Sequence, residues 1–214
     1  MKLFKLLFLM SSFIFAVEFN VYPYLQDATP NSMYVLWETD SESQSIVEWG
    51  EYVFLSESAT GSSFINYGNS RIHTVQLVNL EPNTRYYYRV VLGNYESYSD
   101  LYEFITPPDP SSEQSFRIIA MSDMQRDNSN PEKFNEVVHD GVIDYFSEEY
   151  SSDIASELAM VLVTGDLVVT GSSYYQWQDH FFEPASDLFS HVPLYPVFGN
   201  HEQDADYFIN YFHL

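Results

Sequence analysis

The sequence contains no cysteine among its 214 residues. This excludes a disulfide framework, thiolate–metal sites and cysteine redox chemistry. Basic residues are scarce: eight Lys and Arg stand against 31 Asp and Glu, for a formal charge of −23. Such a surface repels nucleic acid and anionic lipid, so neither is expected as a partner. It also repels phosphorylated ligands, so phosphate chemistry would demand metal ions or a local cluster of Arg and Lys. No segment after the first twenty residues is apolar enough for a membrane span.

The N-terminus, "MKLFKLLFLMSSFIFAVEF", has the layout of a secretory signal peptide over residues 1–16. Lys2 and Lys5 precede a short apolar run that ends at Ala16. The protein is therefore expected to be exported, to a periplasmic, cell-surface or extracellular location, with no stable membrane insertion after cleavage. Hydrophobic residues make up 45% of the chain and aromatics 18%, including 18 Tyr and 17 Phe. That supplies a large core and argues against disorder.

Two rhythms divide the rest. Residues 20–106 hold β-rich runs such as "SMYVLWET", "SIVEWG" and "TRYYYRVVL", separated by turn residues. Six or seven short strands are expected, as in an all-β sandwich, with Trp37 in the core. "LEPNTRYYYRV" resembles the tyrosine corner of fibronectin type III domains, with Tyr86 as the corner residue. "PPDPSSEQS" at 107–115 reads as a linker. The sandwich before it is expected to fold alone.

From residue 116 the pattern becomes strand, helix, strand, helix, strand. "FRIIAMS", "AMVLVTGD" and "PLYPVFGN" read as strands buried on both faces of a mainly parallel sheet. A helix is expected from an Asn130 cap and Pro131, with Phe134, Val137, Val138, Val142, Tyr145 and Phe146 as its apolar stripe. "SSYYQWQDHFFEPASDLF" gives a second helix.

Each strand ends in oxygen or nitrogen donors: Asp123 and Gln125 after the first, Asp166 after the second, Asn200 and His201 after the third. Residues at the carboxyl ends of parallel strands converge on one edge of an open sheet. Carboxylate, amide and imidazole donors suit hard or borderline divalent metals. A carboxylate between two cations is a device for phosphoryl hydrolysis. Gly165 and Gly199 precede these donors and allow sharp turns.

At this point "SDMQ…GDLVV…GNHE" resembles the first three motifs of the calcineurin-like metallophosphoesterases. The β half, with "YPYLQDATPNSMYVLWETD", is similar to the N-terminal fibronectin-like domain of purple acid phosphatases. The resemblance implies an all-β fibronectin type III-like sandwich followed by the N-terminal part of an α/β metallophosphoesterase domain at 116–214. It implies a phosphate-ester substrate and two divalent metal ions, Fe, Zn or Mn. Asp123 would bind the first metal, Asp166 would bridge both, and Asn200 would bind the second. His201 would be catalytic, beside the phosphate and leaving group. Gln125 stands where the family often has His, and Val169 where purple acid phosphatases have a metal-binding Tyr. The family's later His motifs are not found before Leu214, so the chain is expected to be a fragment, inactive as it stands. A non-catalytic exported binding module with a remnant phosphoesterase half is the competing expectation.

Overall fold

The computed structural model describes residues 16–202 and 206–213. The segment read as a signal peptide lies outside them, apart from Ala16. The N-terminal half is a sandwich of two antiparallel sheets, as expected. One sheet runs β1 (Phe19–Thr29), β2 (Ser32–Thr39), β6 (Arg71–Val78), β5 (Ser62–Ile65) in spatial order. The other runs β4 (Glu57–Thr60), β3 (Ile46–Gly50), β7 (Arg85–Leu92), with β8 (Ser97–Tyr98) and β9 (Tyr102–Ile105) both pairing with β7. Nine strands are described rather than six or seven. The extra ones, "ESAT", "SSFI" and "SY", are short and Ser-rich and carry little β propensity of their own. They form because neighbouring strands supply their hydrogen-bond partners.

Alternate residues of the two inner faces make one core. Leu25, Val35, Trp37, Val75, Tyr88 and Phe104 are fully buried there. Trp37 lies flat on the His73 ring, at 4.8 Å and 3°. The tyrosine corner forms as expected: the Glu81 backbone N–H donates to the Tyr86 hydroxyl at 2.9 Å.

Residues 107–115 carry neither helix nor strand. Beyond them, β10 (Ile118–Met121), β11 (Met160–Val163) and β12 (Leu194–Pro196) form a parallel sheet in that order. Helix α1 covers residues 133–149, α2 is Ile154–Glu157, α3 covers residues 174–189, and α4 is Asp206–Tyr211.

Two expectations for this half are corrected. The three strands are not buried on both faces. Val161, Val163 and Leu194 point into the helical layer, and Ile119 and Met121 lean on it, while Ile118 and Ala120 are exposed. Apolar runs reflect a sheet with one covered face and one partly open face here. The first helix also begins at Lys133, not at an Asn130 cap. Asn130 instead closes a small bridge with Asp127, and its carbonyl accepts from the Lys133 N–H at 3.1 Å.

The buried stripe of α1 is Phe134, Val138, Val142 and Phe146, while Val137 and Tyr145 are exposed. The middle of this helix, His139–Asp144, is π-helical between two α-helical ends. Mixing α turns with wider π turns brings the average close to four residues per turn. Residues spaced by four then stay on one face, and those spaced by three rotate off it.

The two halves are not independent units. One hydrophobic cluster joins Val21, Tyr24, Leu36 and Ile72 of the sandwich to Trp177, Phe182 and Tyr211 of the α/β half. At its centre the Glu38 carboxylate, fully buried, accepts from five donors. Ser70 Oγ (2.6 Å) and Asn66 Nδ2 (3.0 Å) come from the sandwich. The Tyr211 hydroxyl (2.9 Å), Tyr174 hydroxyl (3.0 Å) and Gln178 Nε2 (3.1 Å) come from the α/β helices. The outer face of β1–β2–β6 is thus covered by the α/β half, and the sandwich shares a core with it.

Candidate metal and phosphate site

The parallel order β10–β11–β12 brings the three strand ends together, so the sequence-predicted residues share one edge of the sheet. Backbone hydrogen bonds tie the loops to one another. The Asp123 N–H donates to the Gly165 carbonyl at 3.3 Å, and the Gln125 N–H to the Asp166 carbonyl at 3.2 Å. The His201 N–H donates to Asp166 Oδ1 at 3.1 Å. Gln125, Asp166 and His201 thus form a bonded set, with Asp123 tied to it through Gly165 and Asn200 adjoining through the chain.

Both carboxylates sit on left-handed backbone, with φ of 58° at Asp123 and 55° at Asp166. Asp tolerates this region better than most residues, yet the conformation remains costly and clusters at functional sites. Gly165, with φ of 95°, provides the turn that precedes Asp166. Gly199 is needed for a different reason. A Cβ there would lie 2.2 Å from both the Asp166 nitrogen and its Oδ1. The β11 and β12 loops meet here with no room for a side chain on Gly199.

Glu202 holds the arrangement from below. It is fully buried. Its Oε2 accepts from Gly199 N–H at 2.7 Å and Asp166 N–H at 3.0 Å. Its Oε1 accepts from Leu167 N–H at 2.8 Å and Val168 N–H at 3.3 Å. One carboxylate therefore satisfies four backbone donors from the two loops that carry Asp166, Asn200 and His201. No role for Glu202 is legible in the sequence. Its only signal was an acid directly after the Gly-Asn-His turn.

His201 is oriented by a further bond. Its Nδ1 lies 2.7 Å from the Val169 carbonyl, which can only accept. Nδ1 therefore carries the proton, and Nε2 is left as the atom that exchanges protons with a ligand. The Gly171 N–H donates to the His201 carbonyl at 3.0 Å, completing the hold on the loop. Val169 takes part through its backbone, and its side chain offers no metal donor.

The donors present suit a divalent cation. Gln125 Oε1 is buried and has no hydrogen-bond partner, an orphan that a cation would satisfy. Asp123, Asp166 and Asn200 add oxygen donors of the same hard class. Among the described residues, no three His, Cys, Asp or Glu side chains gather as a metal cage. The set here leans on two amides, Gln125 and Asn200, and so carries less charge than an all-acid or His-rich shell. A cavity of about 430 Å³ opens on the β10 side of the cluster, lined by Asp123, Gln125, Arg126, Asn130 and Lys133 among others.

The fold and site together define a β-sandwich joined to an α/β layer with a strand-end site. Comparison with known proteins agrees. Residues 19–106 match the family model "Purple acid Phosphatase, N-terminal domain", and residues 116–214 match "Calcineurin-like phosphoesterase". The chain thus combines a purple acid phosphatase N-terminal domain with a calcineurin-like phosphoesterase domain.

Similar curated proteins include "Probable inactive purple acid phosphatase 24" of Arabidopsis thaliana, 30% identical over 138 residues. "Probable inactive purple acid phosphatase 27" of the same plant is 29% identical over 139 residues. Each alignment covers 62% of this chain and 22% of the relative, so the chain spans under a quarter of those proteins' length. The solved structure of purple acid phosphatase PPD1 from yellow lupin (Lupinus luteus) seeds matches with a TM-score of 0.66 at 22% identity, covering 85% of this chain and 35% of that one. The structure of PhoD matches with 0.54 at 14%, covering 86% and 39%. These two likenesses establish the shared fold.

Proposed function

We propose that the chain carries part of the active site of a metal-dependent phosphate-ester hydrolase. The observation that carries this reading is the strand-end set in which Gln125 and His201 bond to Asp166 and Asp123 bonds to Gly165 beside it, with Gln125 Oε1 buried and unpaired. Asp123, Gln125, Asp166 and Asn200 would hold divalent metal, and Asp166 would be the ligand shared by two ions. When bound, such ions lower the pKa of water and neutralise charge on phosphoryl oxygens. His201, locked through Nδ1, would pass a proton to the leaving group from Nε2. The basic, then apolar N-terminal segment supports export.

A second reading has its own support. The two Arabidopsis relatives are named as probable inactive enzymes. Here Gln125 and Val169 supply weaker or no metal donors, as a binding module without turnover would allow.

Asp166→Asn tests the metal-ligand assignment that both readings share. Removing a ligand should weaken Mn²⁺ binding to the chain by at least about tenfold, read by titration calorimetry. It should also abolish any hydrolysis of p-nitrophenyl phosphate. His201→Ala should keep the metal and slow turnover by about 10²–10⁴-fold. Turnover by the wild-type chain that is lost in Asp166→Asn would exclude the binding module. Unchanged metal binding in Asp166→Asn would overturn both.

A further inference from the structure

The chain's strongly acidic composition makes any cation beside the strand ends informative. Of the eight basic residues, Lys2 and Lys5 lie in the N-terminal segment and Arg71 lies on β6. Three more arginines are held close to carboxylates. Arg85 contacts Glu103 at 2.9 Å and also Asp153, Arg89 contacts Glu48 at 2.7 Å, and Arg117 contacts Glu157 at 2.8 Å. Arg89 and Arg117 are further covered by the Tyr98 and Tyr150 rings. Only Arg126 and Lys133 line the cavity that carries Asp123 and Gln125.

These two differ in availability. Lys133 is engaged one turn along its own helix by Glu136 at 3.1 Å. The nearest carboxylate to Arg126 is Glu132 at 3.7 Å, on a side chain that is itself 70% exposed, the longest ion pair among the described residues. Of the acids that line this cavity with Arg126, Asp127 already accepts from the Ser129 N–H at 2.8 Å, Glu136 pairs with Lys133, and Asp123 is the candidate metal ligand. Arg126 also lines a second cavity of about 590 Å³ with His139 and His180. It therefore stands between two open spaces, one residue past a candidate metal ligand, without a close ion pair.

We propose that Arg126 is the phosphoryl-binding side chain of this site, taking non-bridging oxygens of a phosphate monoester on the β10 side while His201 serves the β12 side. This rests on the hydrolase reading for the position of the phosphate. A guanidinium presents paired donors that match two phosphate oxygens, and it stays charged at any working pH. It also supplies locally the positive charge that the −23 chain lacks.

His180 provides an internal reporter. Its pKa is lowered first by burial and then by the Arg126 charge. Neutralising that charge, by substitution or by a bound phosphate, should raise it.

The test titrates inorganic phosphate into the Mn²⁺-loaded full chain by calorimetry, with Mn²⁺ affinity measured separately. Arg126→Gln should weaken phosphate binding about tenfold or more, as loss of charge-assisted hydrogen bonds does. Mn²⁺ affinity should change by less than about twofold on the scale of direct ligand loss. Arg126→Lys should recover part of the phosphate affinity, since it restores charge but not the paired geometry. By NMR, the His180 pKa should rise in Arg126→Gln, and in wild type on adding phosphate. Phosphate binding by Arg126→Gln at wild-type strength overturns the proposal. So does a wild type that binds no phosphate, or an equal loss of Mn²⁺ and phosphate, which would mark a merely structural role. Asp166→Asn keeps the two claims apart: if it binds metal and phosphate normally while Arg126→Gln does not, the hydrolase reading fails and Arg126 stands as an anion site.

Discussion

Three buried ionisable side chains, Glu38, His73 and Glu202, show how this sequence uses polar groups inside its core. Among the described residues, Glu38 and Glu202 have no cation partner. Each is held by neutral donors instead, four backbone N–H groups at Glu202 and five side chains at Glu38. A buried carboxylate persists only when its oxygens are satisfied in this way. His73 is satisfied by Thr39 Oγ1 at 2.8 Å and Ser45 Oγ at 2.9 Å, and lies against Trp37. Burial, and then the nearby Arg71 charge, push its pKa down from 6.5 to about 4. The folded chain therefore resists protonating His73, while the unfolded chain takes up a proton near pH 6.5. The stabilisation is complete above pH 6.5 and is lost as pH falls towards 4. Its size is on the order of 3 kcal/mol, at 1.36 kcal/mol per pKa unit. Urea unfolding of wild type and His73→Gln across pH 4–7 checks this. The gap in pH slope between the two should be confined to that window, and parallel slopes would show that His73 does not titrate as argued.

At the scale of elements, helix α3 links packing to the site. It starts as α-helix at Tyr174–Gln176, widens to π over Trp177–Phe182, tightens to a 3₁₀ turn at Glu183–Ala185 and ends as α-helix. The 3₁₀ turn accommodates Pro184, whose ring and missing N–H would break a regular helix. Trp177 is fully buried, and its Nε1 donates to the Gly171 carbonyl at 2.8 Å. Gly171 in turn donates to the His201 carbonyl. Trp177→Phe keeps most of the apolar contact but leaves the Gly171 carbonyl without its donor. Loss of such a bond should cost about 1–3 kcal/mol, measured by chemical denaturation. The His201 imidazole signal should also broaden or shift by NMR. Destabilisation with an unchanged His201 signal would show that the bond serves packing alone.

For the whole molecule, the interface between the halves decides stability. Tyr24, Leu36 and Ile72 on the sandwich are covered by the helices. The Tyr88 hydroxyl reaches across to the Ser190 carbonyl at 2.7 Å, and Gln26 Oε1 accepts from the His213 N–H at 2.9 Å. A chain of residues 16–110 would expose this apolar face and leave Glu38 without three of its five donors. It should bind a hydrophobic dye and unfold at lower urea than the full chain. The full chain should show one transition seen alike by all probes. Limited proteolysis that releases a stable 20–106 fragment, with a dye-silent surface and unchanged midpoint, would count against a shared core.

The sequence by itself determined the two-part architecture, the tyrosine corner at Tyr86 and the strand-end positions of Asp123, Gln125, Asp166, Asn200 and His201. These are local signals: alternation, turn residues and a Gly beside a donor, each legible within a few positions. Tertiary structure decided the rest. Glu202 and Glu38 gained their roles from partners 34–36 and up to 173 positions away, separations that no periodicity encodes. The half-open faces of β10–β12 depended on what the helices cover, which an apolar run cannot report. The helix stripe followed a π turn that residue identity alone did not announce. Arg126 stood out only once folding had placed most other arginines against carboxylates and left it facing the cavity beside Gln125.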